Sequence, residues 1–225
     1  NRTIWIGEKM VEKFHDELAE LKERVLEMGH LAEQMLHDGV VSLKEQDVEL
    51  ADDVYERKYR LAEMDETIEE DALRLIALYQ PMAKDMRTIG CCLKMITYLT
   101  RIGRYGKDIS NVAKQLADGD HVSKLVSIPY MAEKACGMVE DALQAFKTED
   151  LELIAEFEDR DDDIDALRYS IFRECISYMV EDAKYITRCA HYIMVARYIE
   201  RCADHACKIA EKVHYMVTGE RIEVS

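Results

Sequence analysis

Proline and glycine, the residues that punctuate strand-and-turn architectures, are scarce in this sequence. Pro81 and Pro129 are the only prolines, and nine glycines are spread thinly through 225 residues. Proline lacks an amide hydrogen and clashes with the preceding helical turn, so such a thin scatter of breakers excludes a fold of short strands and favours long helices. No apolar run reaches the roughly 20 residues that a membrane-spanning helix needs, and no charged start leads into an apolar signal segment. A cytoplasmic protein with no direct membrane insertion is expected. A glycine-rich phosphate loop and a Ser-His-Asp arrangement are also missing. Lysine and arginine total 30 against 46 acidic residues, giving a formal charge of −16, and the cations form no single patch. A surface of that sign repels phosphate backbones, which excludes direct nucleic-acid binding. The seven cysteines, at 91, 92, 136, 175, 189, 202 and 207, include no C-x-x-C pair. Their odd number suits reduced thiols rather than a disulfide framework, and most are expected to be small apolar core residues.

Hydrophobic residues make up 48% of the chain, ample for a packed core. Their spacing is helical. Val11, Phe14, Leu18, Leu21, Val25, Met28, Ala32, Met35 and Gly39 recur at three-four intervals, as the seam of a bundle does. A second periodic stretch runs from about Asp47 to Tyr79, with Ala51, Val54, Leu61, Ile68, Ala72 and Leu75 on its inner face before Pro81 stops it. A third runs from near Met82 through Ile89, Leu93, Ile96 and Gly103 to about Leu116, where Asp118-Gly119-Asp120 reads as a turn. Further helices are predicted near Val126 to Lys147, Asp150 to Val180 and Lys184 to Val217.

The second half repeats the first. Lys44 with Asp47-Val48-Glu49-Leu50 recurs 103 residues later as Lys147 with Asp150-Leu151-Glu152-Leu153. Ala83-Lys84, Tyr98 and Arg101 recur 100 residues later as Ala183-Lys184, Tyr198 and Arg201. The fold class expected is all-α: two tandem antiparallel three-helix bundles over residues 8–118 and 124–218.

Two acid pairs could carry chemistry. Residues four apart project from one helix face, so paired carboxylates at that spacing can grip a cation. Asp161 with Asp165, and Glu200 with Asp204, have this spacing and fall at seam-like positions on successive helices. Carboxylates buried together repel, and a hard cation is the usual remedy. Against this, a chain with 46 acids produces such pairs by chance on solvated faces. Asp159, Asp162 and Asp163 also crowd the first pair. The repeat supplies a control, because it sets Lys58 and Ala62 against Asp161 and Asp165, and Thr100 and Arg104 against Glu200 and Asp204. Any metal site is therefore confined to the second half, and Lys58 and Arg104 either pair with Asp65 or Asp108 or reach solvent. Glu-x-x-His recurs at Glu12/His15, Glu27/His30 and Glu211/His214, the element of a di-iron oxidase, although the first two share one helix.

Several segments, in this order, resemble the PhoU family of phosphate-uptake regulators. They are Phe14 to Gly29, Gln80-Pro81 with Ala83, Asp85 and Arg87, then Arg101-Ile102-Gly103, Glu181-Asp182, and Ala196 to Arg201. The resemblance implies two three-helix bundles related by a pseudo-twofold axis. It also implies E-x-x-x-D motifs on the third and sixth helices that face acids on the second and fifth and, in some members, bind multinuclear metal clusters. Glu200 and Asp204 match the sixth-helix motif and Asp161 and Asp165 its partner, while Lys208 replaces a common Asn and Cys207 takes a ligand-side position. The third-helix motif is broken at Thr100 and Arg104. The metal implied is divalent or iron, with Fe, Zn, Mn and Mg as candidates. The role implied is negative regulation, without catalysis, of the phosphate-specific ABC transporter and a sensor histidine kinase, with a homodimer as the expected assembly. The rival readings are a carboxylate-bridged metalloenzyme and a metal-free helical adaptor.

Overall fold

A computed structural model describes residues 2–123, 125 and 127–224, with side chains from residue 10 onward. It contains six α-helices and, among the described residues, no strand: α1 (Arg2–Glu45), α2 (Val48–Tyr79), α3 (Ala83–Gln115), α4 (Ser127–Thr148), α5 (Phe157–Glu181) and α6 (Ile186–Thr218). The domain boundary expected at residue 124 and the helix start expected at Val126 lie outside the described residues.

The repeat extends to the backbone of the connections. Gln46 and Glu149, 103 residues apart, both adopt positive φ, at 55° and 61°. Each is followed by an aspartate whose carboxylate caps the next element. Asp47 Oδ1 accepts from Leu50 N at 2.9 Å and opens α2 directly. Asp150 Oδ1 instead accepts from Glu152 N at 3.1 Å, which closes a tighter turn. The chain after Asp150 accordingly forms a 3-10 turn over Leu151–Ile154, and α5 begins only at Phe157. The sequence reading of an unbroken helix from Asp150 is corrected on this point. A second 3-10 turn, Ala183–Tyr185, likewise delays α6 to Ile186.

Each half closes on itself, α1 with α2 and α3, and α4 with α5 and α6. The halves then join through α3 against α6 and α1 against α4, so the buried residues of both belong to one continuous core. On α2 the buried residues are Ala51, Val54, Leu61, Ile68, Ala72 and Leu75, as the periodicity predicts. Val11 is the exception on α1. It is 57% exposed, one turn before Phe14, whose ring packs 5.3 Å from that of Tyr79 at the end of α2.

The tightest approach lies between α1 and α3. A Cβ on Gly106 would collide with the backbone of Met35 and Leu36, and one on Gly39 with the carbonyl of Gly106. These two glycines let the helix backbones touch. All seven cysteines are buried free thiols, distributed over α3, α4, α5 and α6.

Candidate metal centre

The four carboxylates lie along the seam where α5 packs on α6. Asp161 and Asp165 are half-buried, Asp204 is half-buried, and Glu200 is 7% exposed. Asp159, Asp162 and Asp163 point to solvent, Asp163 pairing with Lys134 at 3.0 Å. The crowding that obscured the first pair in the sequence is therefore resolved in favour of Asp161 and Asp165.

Charge is unevenly compensated along this seam. Burial, followed by the neighbouring charges of Asp204 and Asp165, pushes the Asp161 carboxyl up to about 6. The Cys207 thiol donates a hydrogen bond to Asp161, and burial with the charges of Asp161 and Asp204 holds that thiol far above its ordinary range. Cys207 is thus a protonated donor rather than a thiolate ready to ligate. Glu200 is raised by burial, against the pull of Arg197 and Arg168. Arg197 hydrogen-bonds both Glu200 oxygens, and Arg168 Nε lies 3.3 Å from Oε1 as an ion pair. Arg201 Nη1 donates to Asp204 Oδ2 at 3.1 Å.

Among the described residues, no three His, Cys, Asp or Glu side chains converge closely enough to hold a metal ion. Asp161, Asp165 and Asp204 have the oxygen donors that suit a hard cation, and the negative charge is least relieved around Asp161, since Asp204 is paired with Arg201. Glu200 does not fit that role in this arrangement, because its carboxylate is taken by two arginines. Arg197 sits three residues before Glu200 and was legible as a helical neighbour. Arg168 comes from the adjacent helix and left no signal in the sequence.

In the first half the equivalent positions hold Lys58, which turns away from both expected acids, and Arg104, whose charge acts on Asp65 without a close ion pair. Lys58 forms no ion pair with Asp65 or Asp108; its ammonium lies 3.6 Å from the Tyr55 ring centroid and 4.7 Å from that of Tyr59. Asp108 pairs with Lys107 at 2.9 Å. Asp65 is raised chiefly by burial, and Arg104 is exposed. The Glu-x-x-His motifs do not meet. His15 and His30 lie on the exposed face of α1, and Glu211 is buried but pairs with Lys208 at 2.7 Å.

The interface between α3 and α6 carries a stack that the sequence did not reveal as a unit. His205 lies between Tyr98 and Tyr105, with centroids 5.8 and 6.1 Å away, and Tyr105 stacks on Tyr198 at 5.6 Å. Burial, aided by the charge of Arg101, lowers His205 to about 4, so the ring is neutral near neutral pH. Only the repeated pair Tyr98 and Tyr198 hinted at it.

Comparison with known proteins places this architecture. A family model described as the PhoU domain matches residues 25–113 and 128–213, one segment in each half. A Caulobacter vibrioides protein named phosphate-specific transport system accessory protein PhoU homolog is 38% identical over 216 residues, covering 96% of this chain and 94% of that protein. The crystal structure of PhoU from Pseudomonas aeruginosa superposes with a TM-score of 0.88 at 33% identity, over 92% of this chain and 100% of its own. That of the phosphate transport system regulatory protein PhoU from Streptococcus pneumoniae gives 0.85 at 25% identity, over 93% and 99%. Sequence, duplicated helical units and backbone agree over 92–96% of the chain, and it belongs to the PhoU family.

Proposed function

We propose that this protein is a non-enzymatic, cytoplasmic negative regulator of phosphate import that acts by docking its helical surfaces on a phosphate-specific ABC transporter and on a sensor histidine kinase. The observation that carries this reading is the match across both halves to proteins named as accessory or regulatory components of phosphate transport. No helix among the described residues is long and apolar enough to cross a membrane, which suits a partner that docks rather than inserts. The non-enzymatic reading is supported by the Glu-x-x-His motifs, which do not gather around one centre: His15 and His30 lie on the exposed face of α1, and Glu211 is paired with Lys208 on α6. Deleting the gene should raise phosphate uptake or phosphate-starvation gene expression in replete medium. Unchanged uptake and unchanged expression would sink the assignment. We expect the working unit to be a homodimer, which sedimentation of the purified chain would test.

The same reading includes cation binding by Asp161, Asp165, Glu200 and Asp204. Its support is the uncompensated charge around Asp161, which a divalent cation or a small cluster would relieve. Recruitment of Glu200 requires its release from Arg168 and Arg197. Added Mn²⁺, Zn²⁺ or Fe²⁺ should raise the melting temperature of the wild type through preferential binding to the folded state, and should fail to do so for Glu200→Ala/Asp204→Ala. Equal stabilisation of both proteins would remove the metal from this seam.

A further inference from the structure

The largest cleft described for this protein, about 590 Å³, lies away from the carboxylate seam, where the end of α2, the start of α3, the end of α6 and the tail after Thr218 meet. Its size falls within the roughly 300–1,000 Å³ of small-molecule sites. The wall is mainly apolar, formed by Ile76, Met86, Leu93, Tyr215 and Ile222. Around it stand Arg87, Lys94, Lys212 and Arg221, with Glu211 as the only acid in the lining. That carboxylate is already engaged: Lys208 donates to it at 2.7 Å, and the Val224 amide donates to it at 3.3 Å, tying the tail down as one side of the cleft. Among the described residues, Arg87, Lys94 and Arg221 have no carboxylate within ion-pair distance. Lys212 lies 3.8 Å from Glu211 and Arg87 Nε donates to the Met216 carbonyl at 3.3 Å, so in a chain of charge −16 this cleft carries a local excess of positive charge that favours an anion.

Gly90 provides an independent observation. It lies within α3 and lines the cleft, and a Cβ built on it would meet nothing within 4 Å. Glycine inside a helix is less stable than alanine, so such a residue normally answers a packing demand, as Gly106 does. Gly90 answers none. What it does is keep one wall of the cleft bare.

We propose that this cleft binds a small amphipathic anion, its alkyl or aryl body against the apolar wall and its phosphate or carboxylate head among Arg87, Lys94, Lys212 and Arg221. Guanidinium groups favour such heads because their donors match two oxygens at once. The head could come from a free metabolite or from an anionic lipid, and the chemistry recognised is the same.

The test is calorimetric titration of the full chain with octyl phosphate below its micelle-forming concentration. Octanol and inorganic phosphate serve as the two half-ligands. The wild type should bind octyl phosphate saturably at one site, and either half-ligand at least tenfold more weakly. Gly90→Trp, which fills open space, should weaken octyl phosphate binding at least tenfold while keeping the helical circular dichroism. Lys94→Gln/Arg221→Gln, at two exposed positions, should do the same and stands in if the tryptophan disturbs folding. Absence of saturable binding to the wild type overturns the proposal, as does octanol binding as tightly as octyl phosphate, or undiminished binding by a folded variant. Sedimentation with phosphatidylglycerol vesicles, lost in Gly90→Trp, would identify lipid as the source. Octyl phosphate binding without vesicle binding would identify a free anion.

Discussion

Replacing Asp161 by Asn isolates the cost of crowding carboxylates where α5 packs on α6. In the folded chain this group titrates near 6 instead of its ordinary 3.8, chiefly through burial and then through the charges of Asp204 and Asp165. Because the folded pKa is raised, the native state holds the proton more tightly than the unfolded chain does. The resulting penalty is fully present above about pH 6 and absent below the unfolded value of 3.8. A shift of about two units corresponds to about 3 kcal/mol, since each unit is about 1.4 kcal/mol. The side chain is half-buried, and solvent screening reduces the expected penalty to about 1–2 kcal/mol. Asn keeps the shape and can still accept the Cys207 hydrogen bond. Asp161→Asn should therefore be more stable than the wild type at pH 7.5 by about 1–2 kcal/mol, or about 2–6 °C in melting temperature for a chain of this size. The gain should fade toward pH 4. Thermal and urea denaturation, followed by circular dichroism in excess chelator at pH 7.5, 6 and 4.5, measure this directly. A loss of stability at pH 7.5, or a gain that does not change with pH, would refute the reasoning.

His205 should act in the opposite direction over much of the same range. Its pKa is lowered from 6.5 to about 4, so the stability linked to its neutral ring is complete above 6.5 and is lost as pH falls toward 4. His205→Phe keeps a ring between Tyr98 and Tyr105, and Nε2 has no hydrogen-bond partner to lose. The variant should flatten the acid limb of the stability profile, and an unchanged limb would place the slope elsewhere. At the α1 and α3 contact, Gly106→Ala drives a methyl group into helix backbone that cannot swing aside and should cost about 1–3 kcal/mol, read as a lower urea midpoint. A neutral or stabilising result would show that α1 can slide away from α3 at little cost.

The parts of the fold legible in the sequence are those fixed by local spacing. The inner face of α2 could be read residue by residue because its period is unbroken and both ends carry stop signals, Asp47 and Pro81. The delayed start of α5 could not, since Asp47 and Asp150 are the same residue type in the same repeat and differ only in which amide each caps. At the carboxylate seam, spacing identified which acids share a face but not what neutralises them. Arg168 reaches Glu200 from another helix, and long cationic side chains find such partners only after packing sets the distance. Lys58 shows the same limit, turning to Tyr55 and Tyr59 on its own helix rather than to an acid. The cleft beside Gly90 was illegible for a further reason. It is assembled from the ends of three helices and the tail, and no single segment encodes a space between segments.

The buried thiols give this molecule a built-in reporter of its own opening. A thiol reacts as the thiolate, and burial raises Cys92 and Cys175 to about 12 and Cys91, Cys136 and Cys207 further still. In the closed protein a water-soluble alkylating reagent therefore meets almost no nucleophile, and modification proceeds at the rate at which segments part from the core. Cys91 and Cys92 mark α3, Cys136 marks α4, Cys175 marks α5, and Cys189, Cys202 and Cys207 mark the start and middle of α6. The order in which these seven sites acquire label, read by mass spectrometry of peptides, is the order in which α3, α4, α5 and α6 part from the core.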